Sequence, residues 1–540
     1  MAKQQKNKRQ TMPKAQPRET AKPRRERKPV RLPVMVFFFV LVWLWAWLWY
    51  GDVFRIAREY SFWAPDSTLM HFMDGRPWAA LWWAGLALLQ LYRWPVVGGL
   101  VTAFLVSGST WLVGYCLRLR GWWRLFQYVP AALYLGALAY LGFDIYFETQ
   151  TGMIMGIPLL CFLVLLILAF VIRSFAHSHH FPPIFSPSKD ETPRQNRAQL
   201  VVTVLIVAAT MGITQWMRPY VRVTTTMQRQ MMEQDWHGMA ETARAHADLS
   251  YRPIAAYYAI ALVHTGEQAT HLFDIRMEYD EPFLHGYNRN VSSTLYYYLP
   301  DCDLHAGLVQ TATHHAMENL TMNGPSIRSL KILLKCSLLR GEWAVAEKYL
   351  RILEKVPFEG DFVRRYKPMC HRMDIVDADP EFKIIRLTEP TRDSFENFYI
   401  HPVFLGYNAA LSEGRSINAL WNSILVQAYS KTMPELVRRC EPLSGSAPPQ
   451  SIAEALMLMS SKYPDVLKLY PGVEYNRGKL VSFLHDVKPY LKDYDTRKQY
   501  ARELFPKYKG YYPYYYFFGN LKATKGHTEE NEGSSKQGVN

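Results

Sequence analysis

Two hydrophobic patterns divide the chain at about residue 217. Before that point, apolar stretches at about 33–50, 95–117, 125–143, 152–172 and 198–217 each approach the roughly 20 residues that a helix needs to cross a bilayer. A sixth stretch, Trp78–Leu91, is only 14 residues long and lies between Pro77 and Arg93-Trp94-Pro95. That length suits an interfacial or re-entrant half-helix better than a full crossing. After residue 217 no apolar run is long enough to cross. Instead, apolar residues recur at i, i+3, i+4 and i+7 in Ile327–Arg340, Trp343–Lys355, Ile417–Tyr429 and Ile452–Tyr463. Sustained period-2 alternation is missing, so few or no strands are expected. The pattern predicts an all-α protein: an N-terminal transmembrane helix bundle of five or six helices, followed by a helical region.

The most specific local pattern in that second region runs from Leu339 to Pro357. Gly341 would turn the chain between two antiparallel helices. Ala346 lets them approach closely, Trp343, Tyr349 and Leu353 supply the buried stripe, and Pro357 stops the second helix. Tyr257–Gly266 follows the grammar of a first helix, and Asp235-Trp236 with Ala240 and Ala243 opens a second. The spacing predicts a degenerate tetratricopeptide-like α-solenoid without a clean period. The expected divisions are a disordered basic tail at 1–32, a transmembrane domain at 33–217, helical-repeat blocks at 218–372 and 401–522 joined by an irregular bridge at 373–400, and a disordered end at 523–540. The aromatic stretch Tyr508–Phe518 is too apolar to leave in water and is expected to dock on the last helices.

Charge sets the expected orientation. Residues 1–31 hold twelve Lys or Arg against Glu19 and Glu26, and so carry +10 of the net +15. The remainder is close to neutral, which argues against a nucleic-acid partner. The basic tail reads as a topology signal that stays in the cytoplasm and meets anionic lipid. Arg118, Arg120 and Arg124, then Asp144 and Glu148, then Arg173, Lys189, Arg194 and Arg197 alternate along successive loops. That order fits five crossings of a bacterial inner membrane with the C-terminal region periplasmic. Six crossings would place that region inside.

Candidate chemistry is sparse. The first outer loop carries Asp52, Glu59, Asp66 and Asp74 before the short helix. Membrane glycosyltransferases that use lipid-linked sugars place an acid similarly, where it serves as general base or holds a divalent cation. Asp66, with Asp52 and Glu59, is therefore the candidate catalytic set. His177, His179 and His180 lack the further ligands that a metal site needs. The cysteines are too widely spaced for a zinc or disulfide framework. None of the common nucleotide-binding or hydrolase motifs occurs, so neither a metal nor a cofactor is expected.

Asp66, Asp74-Gly75-Arg76-Pro77, Gln90, Pro95 and Gly99, together with Asp235-Trp236, Tyr257–Gly266, Gly341–Tyr349, Asp379-Pro380-Glu381 and the closing aromatic run, resemble an uncharacterised bacterial family, known only as a domain of unknown function. Its members carry N-terminal membrane helices and a tetratricopeptide-like tail. The chain departs from that pattern where a Pro-Gly-Gly turn is expected and Gly75-Arg76-Pro77 stands. The resemblance implies an architecture and no activity. The expected role is a scaffold that presents helical repeats to an envelope protein or polymer, with the lipid bilayer as its other partner. The alternative is a membrane-embedded transferase acting on a lipid-linked substrate.

Overall fold

The computed structural model describes residues 34–75, 77–141, 151–175, 192–249, 251–276, 299–389 and 416–519. The basic tail, Asp144, Glu148, the His177–His180 cluster and residues 520–540 lie outside the described residues. Every regular element among those described is helical.

In the first half, α1 (Val34–Leu44) continues through one π turn to Trp49. A 63° bend then leads into α2 (Gly51–Glu59). Tyr50 fixes the bend: its ring stacks on Trp45 at 5.0 Å and its hydroxyl donates to the Leu138 carbonyl at 2.9 Å. The Trp78–Leu91 stretch forms α3 (Ala79–Leu89), 11 residues long. At 1.5 Å per residue it covers about 16 Å, half of the hydrocarbon thickness. Then come α4 (Pro95–Cys116), α5 (Val129–Leu141), α6 (Met153–Phe175) and α7 (Pro193–Gly212), the last extended by a π turn to Met217.

Three helices are long and apolar enough to cross a membrane, Pro95–Cys116, Met153–Ser174 and Pro193–Met217; the bent α1–α2 pair passes the same test only when its two parts are taken together as one span. The stretch at 125–143, expected to be a full crossing helix, differs. Its α-helical part is the 13-residue α5, and residues 121–128 form 3₁₀ turns. Pro130, which has no N–H to donate, sits at the second position of α5 and favours a helix start there. Only 28% of the apolar window of α6 and 22% of that of α7 are buried. Ile157, Val164, Ile167 and Phe170 on α6, and Val201, Val204 and Leu205 on α7, face outward. Apolar faces of that extent are covered by something other than water.

The second half continues as α8 (Pro219–Glu233), α9 (Trp236–Ala245), α10 (Arg252–Thr265), α11 (Leu299–His305), α12 (Val309–Asn323), α13 (Ile327–Arg340), α14 (Trp343–Glu354), α15 (Gly360–Tyr366), α16 (Pro380–Thr388), α17 (Ile417–Ser430), α18 (Gln450–Met459) and α19 (Tyr512–Phe518), with further helices between, among them Arg477–Val487 and Tyr494–Tyr508. Consecutive helices pack as hairpins, α9 on α10, α12 on α13 and α13 on α14. The α13–α14 turn follows the sequence signal. Gly341 has φ +70°; its N–H donates to Leu338 O at 3.1 Å, and the Glu342 N–H donates to Ser337 O at 2.8 Å. This is a Schellman closure, which requires the left-handed residue that glycine supplies. Ala346 is buried, and Trp343 and Tyr349 pack half-buried against the same core. Pro357 follows the end of α14.

Residues 373–388, expected to be irregular, are helical: Met373–Ala378 and α16. Asp379 caps α16 by accepting from the Glu381 and Phe382 N–H groups, with Pro380 at the first helical position. The Asp-Pro pair is thus a helix start and not a break. The closing aromatic run docks as expected. Tyr512, Tyr514, Tyr515 and Phe518 are buried, and Tyr512 and Tyr515 donate to the Ala428 and Tyr429 carbonyls at 2.9 and 2.8 Å.

The composition boundary near 217 is not a packing boundary. One buried cluster runs from Phe38 and Trp45 through Tyr257 to Phe518, and the second joins Phe62, Trp82 and Leu86 to Leu333, Leu353 and Phe382.

The tightest backbone approach lies between α3 and the start of α6. A Cβ on Gly85 would stand 1.9 Å from the Gly152 carbonyl oxygen, whereas Gly136 has nothing within 4 Å. Gly85→Val should therefore destabilise the chain by about 1–3 kcal/mol, whereas Gly136→Ala should be neutral or slightly stabilising. Thermal unfolding of the two variants in detergent measures the contrast, and equal midpoints would refute this packing.

Candidate functional site: a charged cavity between the two halves

α13 is almost wholly buried, yet it carries Arg328, Lys331 and Lys335. The spacing i, i+3, i+7 puts all three on one face. Each meets an acid from a different element. Arg328 forms a two-pronged pair with Asp301 of α11. Lys331 reaches Glu59 of α2 at 2.8 Å and Glu359, just before α15, at 2.9 Å. Lys335 donates to Glu381 of α16 at 2.6 Å. The three cations thus gather four elements around one helix.

The Lys331 contacts close a ring. Arg58 of α2 lies 2.8 Å from Glu59 and 2.6 Å from Glu359, and its other contact is the Pro357 carbonyl at 3.0 Å. Two cations and two anions alternate, each with a side chain at most 10% exposed. Two of these residues come from the first half of the chain and two from the second.

The acids singled out after the first apolar helix do not converge. Asp52 accepts from Thr226 at 3.0 Å and pairs with Arg229 of α8 at 3.0 Å. Glu59 belongs to the buried ring. Asp66 pairs with Lys355 after α14 and accepts from the Thr68 N–H and hydroxyl at 2.9 and 2.6 Å. Those bonds, Lys355 first, hold the Asp66 carboxyl well below the usual carboxylate range. A carboxylate stabilised in this way is a weak base. Asp52, Glu59 and Asp66 each bind a different stretch of the second half.

Behind α13 lies a second polar cluster. His264 and His305 share a hydrogen bond at 2.9 Å, and Trp236 stacks on His264 at 3.8 Å. His305 stands 4.0 Å from Glu381, which also accepts from Tyr366 and Gln234, both at 2.9 Å. Burial pushes both imidazoles down, His264 to about 4. Glu381 is held low against its own desolvation by Lys335. Among the described residues no three His, Cys, Asp or Glu side chains are grouped to hold a metal ion.

Between α2, α8, α13 and α15 is a cavity of about 420 Å³. Arg55, Glu59 and Arg93 enter it from the first half; Arg328, Lys331, Lys335, Glu359 and Arg365 enter from the second. Sequence reasoning found Glu59 but missed the cations. Their signal was present: three bases at helical spacing inside an otherwise apolar run.

A family model matches residues 137–519, most of the chain. The chain belongs to the family of unknown function DUF6057. The DUF6057 match covers the cavity walls built by α8, α13 and α15, whereas Arg55, Glu59 and Arg93 precede it. No curated protein matches the chain, and no solved structure does.

Lys331→Met would leave Glu59 and Glu359 buried with Arg58 as their only shared cation. The expected loss is about 3–5 kcal/mol, read as a lowered unfolding midpoint. Adding Glu359→Gln should restore a large part of it, and no restoration would mean that the ring is not the cause.

The buried imidazoles set an acid limit. Their folded values lie below the ordinary 6.5, so the unfolded chain takes up protons first as the pH falls. The contribution of His264 is complete above pH 6.5 and is lost between there and about 4, by up to about 1.4 kcal/mol per pH unit, and His305 acts in the same direction. Glu381 adds to the loss only below its ordinary 4.5. His264→Phe should flatten the dependence of unfolding midpoint on pH between 6.5 and 4.5; an unchanged slope would sink the assignment.

Proposed function

We propose that this DUF6057 chain is a multi-pass membrane protein whose helical tail is a scaffold, held rigidly on the outer ends of its membrane helices. The observation that carries the reading is the buried ring of Arg58, Glu59, Lys331 and Glu359, which joins the tail to the end of the first apolar helix. A tail fastened through desolvated charges does not swing freely, because separating the halves exposes unpaired ions.

Five crossings fit this reading: α1, α4, α5 with the 3₁₀ turn before it, α6 and α7. Residues 125–141 together span about 27 Å with 3₁₀ and α rises, near the hydrocarbon thickness. α3 then stays at the tail side. The hairpins of α9–α10 and α12–α14 serve as the tetratricopeptide-like units, and their outer surfaces meet a protein or polymer of the bacterial envelope. The transferase alternative draws less support, since Lys355 and Thr68 occupy the carboxylate of Asp66.

Alkaline phosphatase and a fluorescent protein, fused in turn after about residue 525, test the orientation. Phosphatase activity without fluorescence is expected; the reverse would overturn the extracytoplasmic scaffold. Asp66→Asn should leave the protein in the membrane and its cellular role intact, and loss of that role with normal membrane levels would favour the transferase.

A further inference from the structure

The cavity does more than seal the joint. Its wall carries six cations, Arg55, Arg93, Arg328, Lys331, Lys335 and Arg365, against four acids, Glu59, Glu233, Glu359 and Asp361. The acids are already committed. Both oxygens of Glu59 and of Glu359 face Arg58 and Lys331. Those of Glu233 face Arg55 at 2.8 Å and Arg229 at 2.7 Å. Asp361 pairs with Arg364 and is 72% exposed. Arg328 and Lys335 are matched by Asp301 and Glu381 outside the wall, so the surplus falls on Arg93. Arg93 has no ion-pair partner among the described residues. Arg365, 42% exposed, donates to Asp379 at 3.3 Å and stands 3.8 Å from Glu381, an acid it shares with Lys335. Arg93 belongs to the first half and Arg365 to the second, so the two guanidinium groups reach the cavity from opposite halves of the chain.

We propose that this cavity binds a phosphate group of a small molecule or a lipid head, clamped between Arg93 and Arg365. This goes beyond the scaffold reading and does not depend on it. A planar guanidinium presents paired donors that match phosphate oxygens, and the unpaired charge of Arg93 complements an anion. The volume falls within the range of small-ligand sites. Arg93 stands two residues before Pro95, the first residue of a helix long and apolar enough to cross a membrane. The site thus lies where a lipid phosphate would meet it.

The test is calorimetric titration of the full chain in a neutral detergent, with inorganic pyrophosphate in one arm and dioctanoyl phosphatidic acid in the other. Saturable binding of either probe is expected, weakened about tenfold or more by Arg93→Gln and by Arg365→Gln, while Arg93→Lys, which keeps the charge and loses the planar fork, falls between. The melting temperature of each variant separates lost binding from lost folding. Binding of pyrophosphate identifies a soluble phosphate source; binding of phosphatidic acid alone identifies a lipid. No saturable binding of either probe, or binding untouched by both glutamine variants, overturns the proposal.

Discussion

The structure depends on four charges that have left water together. Arg58, Glu59, Lys331 and Glu359 alternate in sign within 2.6–2.9 Å of one another. Desolvating each ion costs several kcal/mol, and only complete mutual pairing offsets that cost. Such a ring is poor as a source of net stability and strong as a source of geometry. A partial docking of the two halves would strand at least one buried ion, so the joint forms whole or not at all. The bend after Trp49 follows from the same constraint. α2 must turn by 63° to bring Arg58 and Glu59 under α13.

What could be read from the sequence was whatever is periodic or local. Apolar runs marked α4, α6 and α7, and Gly341 marked the α13–α14 turn because one left-handed residue suffices to close it. What could not be read was pairing at a distance. Lys331 and Glu59 lie 272 residues apart, and nothing within either neighbourhood shows that the other exists. A charged residue in a helix is ordinarily a solvated face, so Arg328, Lys331 and Lys335 drew no attention within α13. The Asp379-Pro380 pair failed for another reason: a proline that breaks a helix interior also favours a helix start, and only the capping carboxylate distinguishes the two.

The segment after the first apolar helix shows how the same residues can be found and their surroundings missed. Asp52, Glu59 and Asp66 stood out as acids grouped near a membrane edge. Folding separates them, giving Asp52 to Arg229, Glu59 to Lys331 and Asp66 to Lys355. These pairs fasten the loop to α8, to α13 and to the chain just after α14. A carboxylate paired in this way contributes position; chemistry at it would first have to break the pair.

The polar cluster behind α13 completes the logic of the joint. Glu381 accepts from Lys335, Tyr366 and Gln234 at once. One negative charge thereby balances one buried ammonium, and the neighbouring histidines must remain neutral for that balance to hold. A proton on His305, 4.0 Å from Glu381, would set two cations against one acid in a buried site where charges are poorly screened. The Trp236 stack and the His264–His305 hydrogen bond both accommodate neutral rings. Charge is therefore neutralised inside the ring and behind it, and is left unpaired on Arg93 at the cavity wall. The joint is rigid where its charges cancel, and its capacity to bind lies where they do not.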